Sequence, residues 1–365
     1  MSKITVFKAD IPLKAPFRIV LGVTEVAHNL FVRLETDAGA WGMGEGSPFS
    51  AIVGETQATC LAAARTLAKL LIGKDPLDVE GRLGELAAAL PHNTTVRSAF
   101  DMALYDLLGK VAGLPLYQLF GGTARELSTD NTVGIDAAPA MAARAAEIAR
   151  RGFPAVKVKV GTSPEEDAER VRQVREAVGP NLPIRIDANQ GWDKVAAERA
   201  LRLMAPMEVQ YCEQPVAAWD LAGMRRVRRA SPIPIMADES LFGARDALRL
   251  IAAEACDYFN IKLSKSGGLH EGLRIAAVAH AAGVPCMVGC MSETRLALTA
   301  AAHLASARPV IQFQDLDSAD MHASDPVVGG ITYREGGRID LPDGPGLGAE
   351  IDPAFLAQLE TFTVS

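Results

Sequence analysis

Three carboxylates carry the first chemical signal in this 365-residue chain: Asp187 in Ile-Arg-Ile-Asp-Ala-Asn, Glu213 in Tyr-Cys-Glu-Gln-Pro, and Asp238 in Met-Ala-Asp-Glu-Ser. Each closes a short apolar run. A charge at the end of a buried strand is costly unless it is paired, metal-bound or functional. On neighbouring strands the three side chains bring their oxygens within reach of one ion. All-oxygen ligation, completed by water or substrate, suits Mg²⁺ rather than Zn²⁺.

Lysines flank this acidic set. In Val156-Lys157-Val158-Lys159-Val160 both lysines share one face of a strand, because side chains alternate with period two. Ile261-Lys262-Leu263-Ser264-Lys265 is read as ending the sixth of eight strands, opposite the second. On that reading Lys159 and Lys265 approach one substrate carbon from opposite faces. Lysines close to a metal and to each other have lowered proton affinity, so one serves as base and the other as conjugate acid. Mg²⁺ on a substrate carboxylate would stabilise the enediolate formed when the α-proton leaves.

The elements that position these groups follow from spacing. Apolar runs end near Thr132, Lys159, Asp187, Glu213, Asp238, Lys265, Ser292 and Asp315, at intervals of 23 to 28 residues. Each interval holds one strand, one amphipathic helix and two loops, which is the repeat of a (β/α) barrel. The C-terminal strand ends of such a barrel form its active face. Before it, β-like runs (Ile4–Phe7, Leu30–Glu35, Ala40–Glu45) precede helical patterns over Thr56–Leu71, Pro76–Leu90 and Thr95–Val111. Strands followed by a run of helices indicate an α+β domain. After the barrel, Gly329–Ser365 is rich in Gly and Pro with a weak hairpin pattern, Ile331–Arg334 and Arg338–Leu341, and is expected to return to the first domain. The boundaries read as 1–125, 126–325 and 326–365.

Composition excludes several classes. The chain is 49% hydrophobic, enough for a sizeable core. It has no apolar run long enough to span a membrane. Its 37 basic and 44 acidic residues give a net charge of −7 with no basic block, which argues against nucleic acid. No basic-then-apolar leader opens the chain, so a cytoplasmic protein is expected. The five cysteines match no zinc spacing and read as reduced core thiols.

As a set these motifs resemble the enolase superfamily, within it the muconate-lactonizing-enzyme subgroup, and there most of all the dipeptide epimerases. The resemblance runs through Ala103-Leu104-Tyr105-Asp106, Gly113-Leu114-Pro115-Leu116-Tyr117, the Lys-Val-Lys motif, Asp187-Ala188-Asn189-Gln190-Gly191-Trp192, Glu213-Gln214-Pro215, Ala237-Asp238-Glu239-Ser240 and Lys262-Leu263-Ser264-Lys265-Ser266-Gly267-Gly268. It implies an α/β fold: a modified (β/α)7β TIM-like barrel with an N-terminal α+β capping domain, whose loops in the 20s and 50s close over the mouth. It makes Asp187, Glu213 and Asp238 the ligands of one Mg²⁺ per subunit, Lys159 and Lys265 the acid/base pair, and Lys157 a contact of the substrate carboxylate. The subgroup is often homo-oligomeric.

The eighth strand discriminates within the subgroup. It ends in Asp315-Leu316-Asp317, and the resembling epimerases carry Asp-Xaa-Asp there, suited to a dipeptide α-ammonium. The implied activity is Mg²⁺-dependent 1,1-proton transfer at the C-terminal α-carbon of an L,L-dipeptide. Thr132 and Ser292, at two further strand ends, join the substrate-binding set. In Phe17–Val23, read as one of the closing loops, Gly22 stands where relatives specific for an acidic C-terminal residue are expected to have arginine; Ile19, Val20 and Leu21 either line an apolar pocket or continue a strand, and Arg18 would supply the positive charge if the loop is shifted. The runner-up readings are an N-acylamino-acid racemase, an o-succinylbenzoate synthase or a cycloisomerase; an L-Ala-D/L-Glu epimerase is less favoured.

Overall fold

The computed structural model describes all 365 residues. The N-terminal part is an antiparallel sheet in the order Glu360–Val364, Lys3–Ile19, Gly22–Glu35, Trp41–Gly46. Its inner positions (Ile4, Val6, Leu30, Val32 and Leu34) are fully buried against helices Gln57–Leu71, Val79–Ala89 and Thr94–Ala112. The first strand extends far beyond Ile4–Phe7. Together with the second strand it forms a long hairpin that turns at Val20–Leu21, so Phe17–Val23 is a hairpin tip rather than an irregular loop.

Eight parallel strands follow in consecutive order: Asn131–Val133, Val156–Lys159, Ile184–Asp187, Val209–Glu213, Ile235–Ala237, Tyr258–Lys262, Cys286–Gly289 and Ile311–Gln314. Asp130 N–H donates to Gln314 O at 3.3 Å and brings the first and last strands together. A helix of nine residues or more follows each of the first seven strands, whereas only the short turn Ser318–Met321 follows the eighth. This is the (β/α)7β arrangement beside an α+β cap. No helix is long and apolar enough to cross a membrane.

Alternation along the strands sorts the barrel into layers. The outward residues, such as Val156, Val158, Ile184, Ile186, Ile235 and Ile261, join the main hydrophobic core under the helices. Inside, Tyr211, Met236 and Met287 form a small apolar plug, with Tyr258 and Phe313 packed against it. Two residues further along each of these strands stand Glu213, Asp238, Gly289, Asn260 and Asp315. The polar face therefore sits directly on an apolar floor.

Carboxylates of the cap terminate barrel helices. Asp101, fully buried on the cap's third helix, accepts from the Leu269 and His270 amides at 2.5 and 3.1 Å, at the start of Leu269–Ala282. Glu45 accepts from Thr294 N, Thr294 Oγ1 and Ala297 N at 2.8, 2.7 and 3.1 Å, at the start of Arg295–Ala307. Helix N-termini have unpaired amides and favour negative charge, so these contacts fix the cap over the barrel mouth. Asp101→Ala leaves two buried amides without a partner and is expected to destabilise the protein by about 2 kcal/mol, read as a lower urea midpoint.

Candidate active site

Asp187, Glu213 and Asp238 end or directly follow three neighbouring strands, and all three are fully buried. Their ligand oxygens lie within 4.8 Å of one another. Asn189 N–H fixes Asp187 Oδ1 at 2.9 Å, and Asn260 Nδ2 donates to Glu213 Oε1 at 2.7 Å. Glu213 Oε2 and both Asp238 oxygens accept no well-formed hydrogen bond. Three buried carboxylates whose oxygens cluster this closely, with only lysine ammonium groups beside the oxygens left without a well-formed hydrogen bond, are a donor set suited to a hard divalent cation, so the set fits Mg²⁺. Burial, and then the Asp187 charge, pushes the Glu213 carboxyl up to about 7. Burial would raise Asp238 as well, but Lys262 and Lys265 outweigh it and hold that carboxyl low.

The lysines divide differently from the sequence reading. The sixth strand ends at Lys262, and Leu263–Ser266 is already a helical turn. Parity along Tyr258, Asn260 and Lys262 sends the Lys262 side chain into the barrel, whereas Lys265 lies three residues further, on the turn. Lys262 and Lys159 both line one cavity of about 740 Å³. Lys159 Nζ lies 2.6 Å from Asp187 Oδ2, and Lys262 Nζ lies 2.7 Å from Asp238 Oδ2. Lys265 is fully buried and lines no part of that cavity. Its ammonium donates to the Asp238 and Asn260 carbonyls and pairs with Asp238 Oδ1 at 2.9 Å. The lysine that faces Lys159 is therefore Lys262, with Lys265 behind Asp238. Gly289 on the adjacent strand makes room for it, since a Cβ there would sit 3.1 Å from Lys262 Cε.

Lys157 also differs from expectation. It is 1% exposed, and its ammonium lies 2.6 Å from Asp315 Oδ2, 2.8 Å from Glu213 Oε2 and 3.3 Å from Asp187 Oδ2. Enclosed by three carboxylates, it lines no part of the cavity that holds Lys159 and Lys262. Its charge holds Asp315 at about 2 despite burial. Asp317 has no such partner. Burial and the Asp315 charge push it up to about 7, although the Thr132 amide donates to it at 2.7 Å. Of the Asp-Leu-Asp pair, Asp315 is paired with Lys157, whereas the Asp317 carboxylate is in no ion pair and accepts only from Thr132.

Ile19 and Ser292 line the same cavity as the lysines, along with Phe17, Val26, Phe49, Ile52 and Met291. Leu21 does not, because it lies in the hairpin turn. The sequence reading also missed Asn189, Asn260 and Cys290. Cys290 lines the cavity, and its sulfur lies within 4.8 Å of oxygens of Asp315 and Asp317. Strand parity was available as a signal for Asn260. Asn189 follows a strand end with φ of 41°, a left-handed conformation that the sequence does not announce.

Comparison with known proteins gives a consistent picture. Residues 1–121 match the mandelate racemase / muconate lactonizing enzyme N-terminal domain, and residues 140–355 match the enolase C-terminal domain-like family. A D-Ala-D/L-Ala epimerase of Cytophaga hutchinsonii is 43% identical, with all of both chains covered. A hydrophobic dipeptide epimerase of Enterococcus faecalis is 41% identical over 95% of this chain and 99% of its own. The crystal structure of the Cytophaga hutchinsonii dipeptide epimerase, complexed with Mg and the dipeptide D-Ala-L-Val, superposes with a TM-score of 0.98, covering 100% of this chain and 99% of that one.

A carboxyl ¹³C titration tests the electrostatics directly. Asp317 should titrate near pH 7, while Asp315 stays ionised down to about pH 2. Asp315→Asn removes a neighbouring negative charge, so the Asp317 midpoint should move down.

Proposed function

The chain belongs to the mandelate racemase / muconate lactonizing enzyme family, and from that membership we infer that it is a Mg²⁺-dependent dipeptide epimerase, an isomerase that inverts the α-carbon of the C-terminal residue. The observation that carries the reading is the combination in one barrel mouth of an opposed lysine pair, a carboxylate triad and an unpaired carboxylate, Asp317.

Asp187, Glu213 and Asp238 would hold the metal. Bound there, Mg²⁺ supplies positive charge that offsets the negative charge building on the substrate carboxylate as the α-proton leaves. The chain's own groups do the rest. Lys159 on the second strand and Lys262 on the sixth lie across the barrel from each other, so a substrate carbon between them presents one face to each amine. One amine takes the proton from one face, and the other ammonium returns a proton to the opposite face, which inverts the centre. Asp187 and Asp238 orient the two lysines through the contacts of 2.6 and 2.7 Å. Lys265 and Lys157 hold those carboxylates from behind. Asp317 receives the α-ammonium of the N-terminal residue; an N-acylated substrate brings no cation and would leave it unpaired.

The cavity wall sets the side-chain preference. Phe17, Ile19, Val26, Phe49 and Ile52 line it beside polar residues that include Glu25, His28 and Glu55; its only lysines are Lys159 and Lys262, and no arginine lines it. An acidic side chain would lose its water here without a counter-ion, whereas an apolar one gains about 25 cal/mol per Å² buried. The proposed substrate therefore has an apolar C-terminal residue.

Incubation of dipeptides such as Ala-Leu and Ala-Val, with either L- or D-Ala, in D₂O should place one deuteron on the C-terminal α-carbon and yield the epimer. EDTA should abolish exchange and Mg²⁺ restore it. Activity on N-succinyl amino acids but on no dipeptide would reject the reading. Lys262→Ala is expected to lower kcat by at least about 10³-fold, within the general range for loss of a proton-transfer group. The pH dependence has a definite sign. Asp317 is protonated below about pH 7 and cannot pair with an ammonium, so KM for the dipeptide should rise as pH falls below that value. Asp317→Asn should give a high KM without that inflection.

A further inference from the structure

A second cavity, of about 750 Å³, lies across the cap hairpin from the lysines, and Phe17 lines both spaces. One side is formed by the end of the first barrel strand and the residues after it, Thr132 to Ile135, and another by helix Ala138–Arg150. The Thr132 amide that borders this cavity is the one that donates to Asp317 Oδ2. The carboxylate assigned to the substrate ammonium is thus a single hydrogen bond away from the cavity wall. Asp317 itself lines a smaller space of about 300 Å³ and not this cavity, but that space's two arginines, Arg151 and Arg334, are already paired with Asp320 and Asp340.

The hairpin is fastened to the barrel at this point. Ile135 N–H donates to Arg18 O at 2.8 Å. Gly134 permits the approach, since a Cβ there would lie 3.1 Å from Arg18 O and 3.3 Å from the Phe17 ring. Arg18 is therefore held at the edge of the second cavity, while its neighbour Ile19 lines the first.

The charges around the second cavity are unequal. Lys14, Arg18 and Arg144 face Asp136 and Asp320. Lys14 donates to Asp320 O at 2.6 Å, and the Asp320 carboxylate lies 3.7 Å from Lys14 and 3.3 Å from Arg151. Arg144 is paired with Glu147 at 2.8 Å, and Asp136 accepts from the Ala137 amide at 2.7 Å. Arg18 alone of the three cations has no carboxylate within 4.0 Å.

We propose that this cavity receives the side chain of the dipeptide's N-terminal residue, and that Arg18 makes an acidic side chain the favoured one there. The inference rests on the dipeptide reading above. With the C-terminal α-carbon between Lys159 and Lys262 and the ammonium at Asp317, the N-terminal side chain is carried toward Thr132. Arg18 is solvent-exposed, so its effect is screened and modest. The substrate class is a dipeptide with an acidic first residue and an apolar second residue.

The test measures kcat/KM for Glu-Leu, Gln-Leu, Ala-Leu and Lys-Leu on the Mg²⁺-loaded protein, and repeats it with Arg18→Gln and Arg18→Glu. The wild-type protein should prefer Glu-Leu to Lys-Leu by about fivefold or more, with Gln-Leu between them. Arg18→Gln should bring that ratio close to one and Arg18→Glu should reverse it. The wild-type preference should shrink at high salt. Epimerisation of Ala-Leu with no Glu-over-Lys preference, or a ratio unchanged in Arg18→Glu, overturns this inference and leaves the dipeptide reading standing. No epimerisation of any of the four overturns both.

Discussion

Charge brought out of water at the end of a barrel must be answered by opposite charge, and Lys157 is where this protein answers it. Its ammonium, 1% exposed, touches Asp187, Glu213 and Asp315 together. Two of these belong to the carboxylate triad and one to the Asp-Leu-Asp end, so one buried cation links the two halves of the site. Without it, three ionised carboxylates would face each other over an apolar floor, an arrangement that would force protonation or unfolding. Lys265 plays the corresponding part on the other side, behind Asp238. The mouth thus has an inner pair of lysines that compensate charge and an outer pair, Lys159 and Lys262, that reach the cavity.

The same constraint explains why the cap is an integral part of the fold. Glu45 and Asp101 give up water to terminate barrel helices, and Asp106 accepts from the Met43 and Leu347 amides while paired with Lys110. The final strand Glu360–Val364 then closes the chain onto the cap sheet. These are directional contacts of charged acceptors, stronger than neutral hydrogen bonds, and they fix where the hairpin tip meets the barrel mouth. The cavity above the lysines is bounded by the hairpin tip as a result of that placement, and partial exclusion of water strengthens the charge interactions at its floor.

The sequence carried the architecture because strand alternation and a repeat of 23 to 28 residues are written in residue type. It carried the metal ligands for the same reason: three acids closing apolar runs in consecutive units at nearly equal spacing have few structural explanations. It misplaced one lysine because Lys262 and Lys265 occupy a strand end and the turn after it, and the repeat length cannot choose between positions three residues apart. Parity could have decided it, since Tyr258, Asn260 and Lys262 share a face and Lys265 breaks the period. Lys157 was assigned to substrate by the family resemblance. Only three-dimensional packing reveals that Asp315 reaches it first. The hairpin tip was read as a closing loop from the family resemblance, although Phe17-Arg18-Ile19 alternates apolar and polar residues as a strand does.

That alternation has a functional consequence. A strand presents successive side chains to opposite sides, so Arg18 and Ile19 meet different cavities although they are adjacent in sequence. The barrel supplies groups that act on what every dipeptide shares: a carboxylate, an α-hydrogen and an ammonium. On the proposed reading, the cap hairpin supplies groups that meet what differs between dipeptides, the two side chains. Because the lysines and carboxylates of the mouth belong to buried barrel strands and Arg18 and Ile19 to the cap, substitutions at the hairpin should disturb the charge network beneath very little. The physical separation of a costly, mutually neutralised centre from a partly exposed hairpin allows one chemistry to serve several dipeptide classes.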